Sequence, residues 1–163
     1  MFSRCSRETI YLRFHLPLPS VPERVIGLLI GISERDGRAL VAVDGDDEIV
    51  GHAMYVRDEA SDTGAELAVV VEDGRQSRGL GTLMLSEIAE QARRTGVETL
   101  TFTTLAENRR VLRLARHVFP GLLCSFRAGT RVICVPLAIP LAKAGPGDGE
   151  GPTRVHLPER SRL

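Results

Sequence analysis

The sequence predicts one α/β or α+β domain, in which helices pack on a mixed β-sheet. Two helical segments are followed by the order β-β-β-α-β-α-β-β, which is typical of helices packed against one sheet. The chain has 163 residues, enough for one domain with a core that needs no metal ion or disulfide. Its composition, 43% hydrophobic and 26% charged residues, is that of an ordinary globular protein.

Two short helices are predicted near the N-terminus. The first covers residues 6–15 and ends before Pro17 and Pro19, because proline disfavours helix at its own position and at the preceding one. Ser20 is expected to cap the second helix, with Pro22 and Glu23 in the first turn, where both residue types are favoured.

Strands and helices alternate in the following region. Short apolar or β-branched runs between turn residues predict strands, and apolar residues at helical spacing predict helices. The predicted strands are residues 39–43, 48–57, 65–72, 97–105, 122–127 and 130–139, and the predicted helices are residues 79–94 and 108–119. The apolar stripe of the longer helix consists of Leu80, Met84, Ile88 and Ala92.

The last part of the chain has a different composition. From Leu141 onward, glycine, proline and charged residues dominate. Such a segment buries too little apolar surface to offset the entropy lost on ordering. We therefore predict a folded domain over residues 1–140 and a disordered tail over residues 141–163.

Charge and hydropathy exclude several classes of partner. Lysine plus arginine and aspartate plus glutamate number 21 each, so we expect neither nucleic acid nor an anionic membrane surface as a partner. No apolar stretch approaches the ~20 residues needed to span a bilayer. The charged N-terminus does not resemble a signal peptide, which favours a cytoplasmic location.

The cysteines and histidines do not form a metal-binding pattern. Cys5, Cys124 and Cys134 are odd in number and lack CxxC spacing, which argues against a disulfide framework or a zinc site. The histidines are scattered, and no metal is predicted. Cys124 and Cys134 are expected to face the core of the last hairpin. His52 is interpreted as structural, with a place in an acceptor site as the alternative.

The stretch between residues 65 and 108 contains the features of an anion-binding site. A valine-rich strand is followed by a polar loop and a glycine-rich helix start. The first amides of a helix lack internal partners, and the helix dipole is positive there. Glycines allow a diphosphate to approach the backbone, and Arg75 and Arg78 add mobile positive charge. The residues of this loop and helix start are Gln76, Ser77, Arg78, Gly79, Leu80, Gly81 and Thr82.

The spacing of this loop narrows the choice of nucleotide-binding motif. Neither the GxxxxGK[ST] pattern nor the GxGxxG pattern occurs here. The spacing Gln76-x-x-Gly79-x-Gly81 resembles the Q/R-x-x-G-x-G/A signature of the GNAT acetyltransferases. The strand before it and the helix after it, followed by a further strand, Glu107-Asn108 and a helix, are in that family's order. The resemblance implies a GNAT-like, mostly antiparallel mixed sheet flanked by helices.

Three further segments are most similar to bacterial protein-lysine acetyltransferases that regulate acyl-CoA synthetases. They are residues 11–14 (Tyr-Leu-Arg-Phe), residues 65–71 (Ala-Glu-Leu-Ala-Val-Val-Val) and residues 107–113 (Glu-Asn-Arg-Arg-Val-Leu-Arg). The similarity covers about residues 7–119. It implies acetyl-CoA as the acyl donor and an amine acceptor, possibly a protein lysine.

The resemblance also implies roles for individual residues. The backbone of residues 76–82 would surround the CoA pyrophosphate. Main-chain groups of Val69, Val70 and Val71 would pair with the pantetheine arm as an added strand does. Asn108 matches the helix-start asparagine that contacts this arm, and an amide of the valine strand would stabilise the oxyanion.

Glu66 is the candidate general base. It is a lone carboxylate in an apolar strand, and it matches the glutamate that the protein-lysine subgroup uses. A lysine ammonium, with a pKa of about 10.4, must lose a proton before it attacks a thioester. We expect Glu66 to be partly buried, which raises the pKa of a carboxyl and makes it a better proton acceptor. The alternative is an exposed residue paired with an arginine.

Two positions depart from the family pattern. Ala115 occupies the position, seven residues after Asn108, where many members carry a tyrosine that protonates the leaving thiolate. The chain also lacks the family's usual first strand and helix. The strand at residues 39–43 is therefore expected to be an open sheet edge, which a partner subunit in a homodimer could cover.

Three functions remain open at this stage. The first is acetyl transfer to a protein lysine, and the second is acetyl transfer to a small amine. The third is an acyl-CoA-binding regulatory domain with weak or no catalysis. Arg109, Arg113 and Arg116 share one helix face, interpreted as solvated, with contact to a CoA phosphate as the alternative.

Overall fold

A computed structural model describes residues 1–32, 36–137 and 153–156. It contains one seven-stranded sheet with the strand order β5-β6-β4-β3-β2-β1-β7. The strands are β1 (Gly37–Val43), β2 (Ile49–Arg57), β3 (Gly64–Val71), β4 (Thr99–Leu105), β5 (Leu123–Arg127), β6 (Thr130–Pro136) and β7 (Thr153–His156). The helices are α1 (Arg7–Phe14), α2 (Glu23–Ile30), α3 (Leu80–Arg94) and α4 (Arg109–Val118).

The predicted fold class is confirmed. Four of the six strand pairs are antiparallel, and only β3–β4 and β1–β7 are parallel. Ahead of α1, the described chain contains a single 3-10 turn, Phe2–Arg4, and no strand. Each predicted helix and strand of residues 1–137 occurs, with its ends shifted by a few residues.

The ends of the two N-terminal helices follow local capping rules. The hydroxyl of Ser6 accepts a hydrogen bond from the Thr9 amide and caps α1. Pro22, not Ser20, is the N-cap of α2, so the predicted cap is wrong. Proline lacks an N–H, and its fixed φ places the helix start directly after it. None of the helices in the described ranges is long and apolar enough to cross a bilayer.

The core lies between the sheet and α3. Leu80, Met84, Ile88 and Ala92 are all buried, which confirms the predicted stripe. Leu85 and Ala89 widen this stripe, and buried residues of the five interior strands belong to the same core cluster. A helix with so wide an apolar face is held mainly by tertiary packing. The start of α3 is therefore fixed relative to the ends of β3 and β4.

The predicted tail contains an ordered strand. Thr153–His156 forms β7 and pairs in parallel with β1, so the prediction of disorder is wrong for these four residues. The remaining residues of the predicted tail lie outside the described ranges. Local composition gave no sign of β7, because its pairing partner is more than a hundred residues away. The unpaired backbone of β1 stabilises a strand that could not persist alone.

β7 also changes the interpretation of the sheet edge at β1. The edge expected to need a partner subunit is covered by a segment of this chain. At the opposite edge, every residue of β5 is exposed. Cys124 is therefore exposed, and Cys134 on β6 is partly buried, so neither faces the core as expected. No described helix covers this outermost strand. Neither face of β5 is therefore buried, and the alternation of side chains along the strand does not place any of them in the core.

We predict that Val155→Pro detaches β7. The Arg57 amide bonds to the Asp36 carbonyl, so the odd-numbered residues of β1 direct their main-chain groups to β7. The parallel register then directs the Val155 amide to β1. Proline removes this donor. Hydrogen exchange in a peptide covering Gly37–Val43 should accelerate, and size-exclusion chromatography with light scattering should reveal self-association through the open edge.

Val155→Thr is the matched control, because it keeps the N–H and a β-branched side chain. This variant should retain the exchange protection of β1. Unchanged protection in Val155→Pro would show that β7 does not cover this edge.

Candidate functional site

The site lies where β3 and β4 diverge. The two strands pair in parallel only between residues 64–66 and residues 99–101. Beyond these positions β3 continues to pair with β2, and β4 continues to pair with β6. The two halves of the sheet therefore separate and leave a cleft whose walls are main chain. Buried main-chain groups require partners, so a cleft of this kind is suited to an extended ligand.

The antiparallel ladder determines which main-chain groups of β3 line the cleft. The Glu72 amide bonds to the Val50 carbonyl, and the pattern alternates along the strand. The amides and carbonyls of Val69 and Val71 are therefore directed to the cleft. Those of Val70 are directed to β2, which corrects the expected main-chain contact from Val70. Gln76 Nε2 donates a 2.9 Å hydrogen bond to the Val71 carbonyl.

A cavity of about 550 Å³ occupies this cleft, a size typical of small-molecule sites. It is bounded by the end of β3, the loop before α3, the start of α4 and one side of α1. Two of the predicted residues do not line it, because the Arg78 side chain is exposed and the Leu80 side chain is in the core. The other predicted cofactor-binding residues all line the cavity: Val69, Val70, Val71, Gln76, Ser77, Gly79, Gly81, Thr82 and Asn108.

The loop before α3 presents backbone donors at one end of the cavity. Ser77 and Gly79 both have positive φ, at 59° and 84°, which folds the backbone into a tight concave turn. No described side chain caps α3, and its first turn contains no acidic residue. The first amides of α3 are therefore available to an anion, and the helix dipole adds to the attraction.

The two positions of the predicted motif require glycine for different physical reasons. A Cβ at Gly79 would have no atom within 4 Å, so Gly79 is required for its backbone conformation and not for lack of space. A Cβ at Gly81 would lie 2.9 Å from Leu114 Cδ2. Gly81 therefore permits close packing of α3 on α4 beside the cavity.

The two arginines expected to add mobile charge differ, since Arg78 is exposed and Arg75 is held in an ion pair. Arg75 Nη2 lies 2.7 Å from Asp44 Oδ2 in the turn between β1 and β2. This ion pair holds the loop to the sheet and makes the expectation for Arg75 wrong. On α4, Arg109, Arg113 and Arg116 are exposed, and Arg109 also lines the cavity.

Asp73 holds α1 over the cleft. Its carboxylate accepts hydrogen bonds from the Ser6 amide, the Ser6 hydroxyl and the Thr9 hydroxyl, at 2.7, 2.8 and 2.9 Å. Burial opposes ionisation of Asp73, but these hydrogen bonds outweigh it and lower the pKa of this carboxyl. Arg4 adds an ion pair to Glu72 at 2.7 Å. The N-terminal segment is thus fixed at the end of β3.

Gln76 and Asn108 connect the elements around the cavity. Gln76 Nε2 also donates to the Thr9 hydroxyl on α1, at 3.2 Å, and its carbonyl oxygen accepts from Arg110 on α4. Asn108 Oδ1 accepts from the Val111 amide at 3.1 Å and caps α4. The side chains of both residues therefore organise the cavity, and the oxygen of Asn108 is already engaged.

A second cavity of about 270 Å³ adjoins the first. Val69, Asn108 and Arg13 line both cavities, and Glu66 lines the second. Glu66 is exposed, so the expectation that it is partly buried is wrong. Glu66 is the last residue of β3 that pairs with β4, so it lies where the cleft begins.

Two residues of the second cavity were not assigned a role from the sequence. Arg13 Nε and Thr104 Oγ1 are buried and have no hydrogen-bond partner among the described residues. Thr104 lies within a regular strand and carried no sequence signal, and Arg13 was noted only as part of residues 11–14, a segment of the family resemblance from which no role followed. Buried polar atoms are normally paired, so unpartnered atoms beside a cavity indicate a ligand or water contact.

His52 and Ala115 do not contribute chemistry to these cavities. His52 is 3% exposed and lines neither cavity. Burial, with the charge of Arg13 as a second cause, lowers the pKa of His52 to about 4, so its ring is neutral near pH 7. These facts favour its structural interpretation. Ala115 is fully buried and offers no hydroxyl.

Comparison with known proteins agrees with this geometry. The model of the acetyltransferase (GNAT) family matches residues 8–119, more than half of the chain. The chain belongs to the GNAT acetyltransferase family. The acetyltransferase class expected from the sequence is that of the family, and one solved member was determined with acetyl-CoA.

Several solved GNAT structures superpose on the chain. The GNAT domain of S. lividans PAT shares 25% identity at a TM-score of 0.77, over 83% of this chain and 81% of that one. A phosphinothricin acetyltransferase from Sinorhizobium meliloti, solved with acetyl-CoA, shares 16% identity at a TM-score of 0.67, over 88% and 85% of the two chains. A ribosomal-protein-alanine N-acetyltransferase from Brucella melitensis shares 23% identity at 0.54, over 62% and 69%. At 16% and 23% identity, the likeness to the last two structures shows the fold alone.

We predict that Thr104→Val raises the stability of this GNAT domain. The substitution keeps the branched shape and removes a buried hydroxyl without a partner, which should increase the free energy of unfolding by about 1 kcal/mol. Urea denaturation measures this change.

Thr103→Val is the control, because Thr103 is exposed on the same strand and its substitution should change stability by less than ~0.5 kcal/mol. A loss of stability in Thr104→Val would mean that the hydroxyl has a partner in the free protein, such as a bound water.

Proposed function

We propose that this GNAT domain transfers the acetyl group of acetyl-CoA to a primary amine of a protein lysine, by direct attack of the amine on the thioester. The observation that carries the proposal is the junction of the two cavities at Val69. The donor-sized cavity contains the anion-binding loop, and the adjoining cavity contains an exposed carboxylate, Glu66. Sequence similarity to the protein-lysine subgroup supports the choice of acceptor.

The donor would lie in the larger cavity, in an orientation that follows from charge. The pyrophosphate fits the uncapped start of α3, where amides and the helix dipole favour an anion. The pantetheine arm carries amide donors and acceptors, which suit the main-chain groups of Val69 and Val71. With the Val71 carbonyl engaged by Gln76, the groups that remain are the Val71 amide and both main-chain groups of Val69.

This orientation leads the arm toward the second cavity, with the thioester near Val69. The Val69 amide is the donor that would stabilise the oxyanion as the amine attacks. Glu66 precedes Val69 by three residues on the same strand and lines the acceptor side. It would accept the proton of the ammonium, because an amine attacks only when its nitrogen lone pair is free.

The acceptor would approach from solvent. Exposure of Glu66 allows an amine at the end of a flexible side chain to reach the carboxylate without a wide entrance. His15 lines the same cavity, and the adjacent Leu16 is an exposed apolar residue that a protein substrate can contact. The CoA thiolate would leave without a dedicated acid at Ala115, and water would protonate it, since a thiolate is a moderate leaving group.

We predict that Gly79→Glu weakens acetyl-CoA binding by roughly 10- to 100-fold, because it introduces a negative charge beside the pyrophosphate. Calorimetric titration measures the dissociation constant.

Gly79→Ala is the matched control for this titration. It has the same backbone strain from positive φ, about 1–2 kcal/mol, but the added methyl has free space. It should lower thermal stability and keep acetyl-CoA affinity. Equal affinity of wild type and Gly79→Glu would place the pyrophosphate elsewhere.

We predict that Glu66→Gln lowers kcat by roughly 10²- to 10⁴-fold without weakening acetyl-CoA binding, the range expected when a general base is removed. The rate at which lysine peptides are acetylated, monitored through release of the CoA thiol, gives kcat. If turnover is unaffected, another group accepts the proton. If wild type binds acetyl-CoA but acetylates no acceptor, a regulatory acyl-CoA-binding role replaces the proposal.

A further inference from the structure

We propose that Arg13 recognises a carboxylate on the acceptor, so that the preferred amine carries an anionic group a few bonds away from it. This inference rests on the proposed amine acetylation at Glu66 and specifies the acceptor. Its chemistry has two possible sources. One is an acidic residue beside the target lysine of a protein, and the other is the α-carboxylate of a free amino acid.

Arg13 makes few polar contacts with the described residues. Its Nη2 donates to Met54 Sδ at 3.6 Å, which is a weak hydrogen bond, and its guanidinium lies 5.0 Å from the centre of the Phe14 ring. Its Nε is buried without a hydrogen-bond partner, and no carboxylate of the described residues forms an ion pair with it. A guanidinium has five N–H donors, and among the described residues only Met54 accepts a hydrogen bond from them.

Burial of Arg13 without a paired anion is energetically unfavourable. Burial lowers the pKa of Arg13, and the negative charge of Glu66 partly opposes this effect. The guanidinium is therefore a desolvated cation whose charge Glu66 compensates only in part. A cation without a paired anion is costly to bury, and proteins normally pair such groups with carboxylates. The position of Arg13 on the walls of both cavities means that a bound ligand can supply the missing anion.

The β2–β3 ladder determines on which face of the sheet the guanidinium of Arg13 lies. Met54 is opposite Ala68, and Val56 is opposite Glu66, in the β2–β3 ladder. Residues opposite each other, and residues two apart along a strand, share a face of the sheet. Arg13, which contacts Met54, therefore lies over the face that also carries Glu66.

This placement distinguishes the acceptor from the acyl group. The cleft that would accept the thioester lies on the β4 side of β3, whereas Met54 lies on the β2 side. A carboxylate on the acceptor reaches Arg13 while its ammonium reaches Glu66. One cavity thus presents a cation and an anion to a ligand that carries both charges. Charge-assisted and bidentate contacts of arginine with carboxylates are among the strongest polar interactions.

The test compares paired acceptors that differ only in charge. Lysine peptides with a neighbouring glutamate are compared with the same peptides carrying glutamine, and free amino acids are compared with their amides. In wild type, kcat/KM should favour the carboxylate member by roughly 10- to 100-fold, as expected for a hydrogen-bonded charge pair. The pair of acceptors with the larger preference identifies the source of the carboxylate.

Arg13→Met removes the charge and keeps much of the side-chain volume, and loss of an unpaired buried charge does not favour unfolding. In this variant the preference should fall to nearly one, and Arg13→Lys should restore part of it. Arg7→Met is the matched control, because Arg7 is an exposed arginine on the same helix and should leave the preference unchanged. Acetyl-CoA affinity, measured in each variant, reports any structural damage.

Three results would overturn the proposal. The first is a wild type that does not distinguish carboxylate from amide acceptors. The second is an Arg13→Met variant that loses activity equally on both. The third is a preference for malonyl-CoA over acetyl-CoA that disappears in Arg13→Met, which would assign Arg13 to the acyl group.

A binding experiment distinguishes failure of carboxylate recognition from failure of acetyl transfer itself. The same paired acceptors are titrated into CoA-saturated Glu66→Gln protein, with and without Arg13→Met. A carboxylate preference in binding that depends on Arg13 supports the proposal even without turnover. Equal binding of the two acceptors contradicts it.

Discussion

The short pairing between β3 and β4 is the constraint on which the rest of the site depends. Three paired positions hold the strands together, and beyond them each strand remains in its own half of the sheet. The result is a row of main-chain groups, from Val69 and Val71, that the sheet itself leaves without partners. Such groups are costly when buried, so the cleft is a site that an extended ligand with amides completes.

The elements around the cleft are held by polar contacts that do not use its main-chain groups, apart from the Val71 carbonyl. Asp73 binds the start of α1, Arg75 pairs with Asp44, and Gln76 joins α1, β3 and α4. Each of these residues lies in or beside the loop that turns into α3. The loop is therefore rigid at its side chains, while its amides remain directed to the cavity. This separation allows one short segment to organise the site and to bind an anion.

Much of this arrangement followed from the sequence because it is local. Spacing and residue type identified the strand, the glycine-containing loop and the amphipathic helix, and nine of the eleven predicted cofactor residues line one cavity. The errors arose where a distant partner decides the outcome. β7 depends on the edge of β1, the exposure of Cys124 depends on what covers β5, and the main-chain direction of Val70 depends on the register with β2. Arg75 could not be separated from Arg78, since its partner lies in another turn.

Arg13 and Thr104 could not be assigned a role from the sequence, and yet they are the most informative residues of the second cavity. Each violates a packing rule, since a buried polar atom is left without a partner. Such violations are expected at functional sites, where a ligand or water can supply the partner. Both atoms border the cavity that contains Glu66, whereas the buried His52 ring, whose nitrogens also lack partners among the described residues, lines neither cavity. Unused hydrogen-bonding capacity that borders the acceptor side of the cleft is therefore the capacity that a ligand can reach.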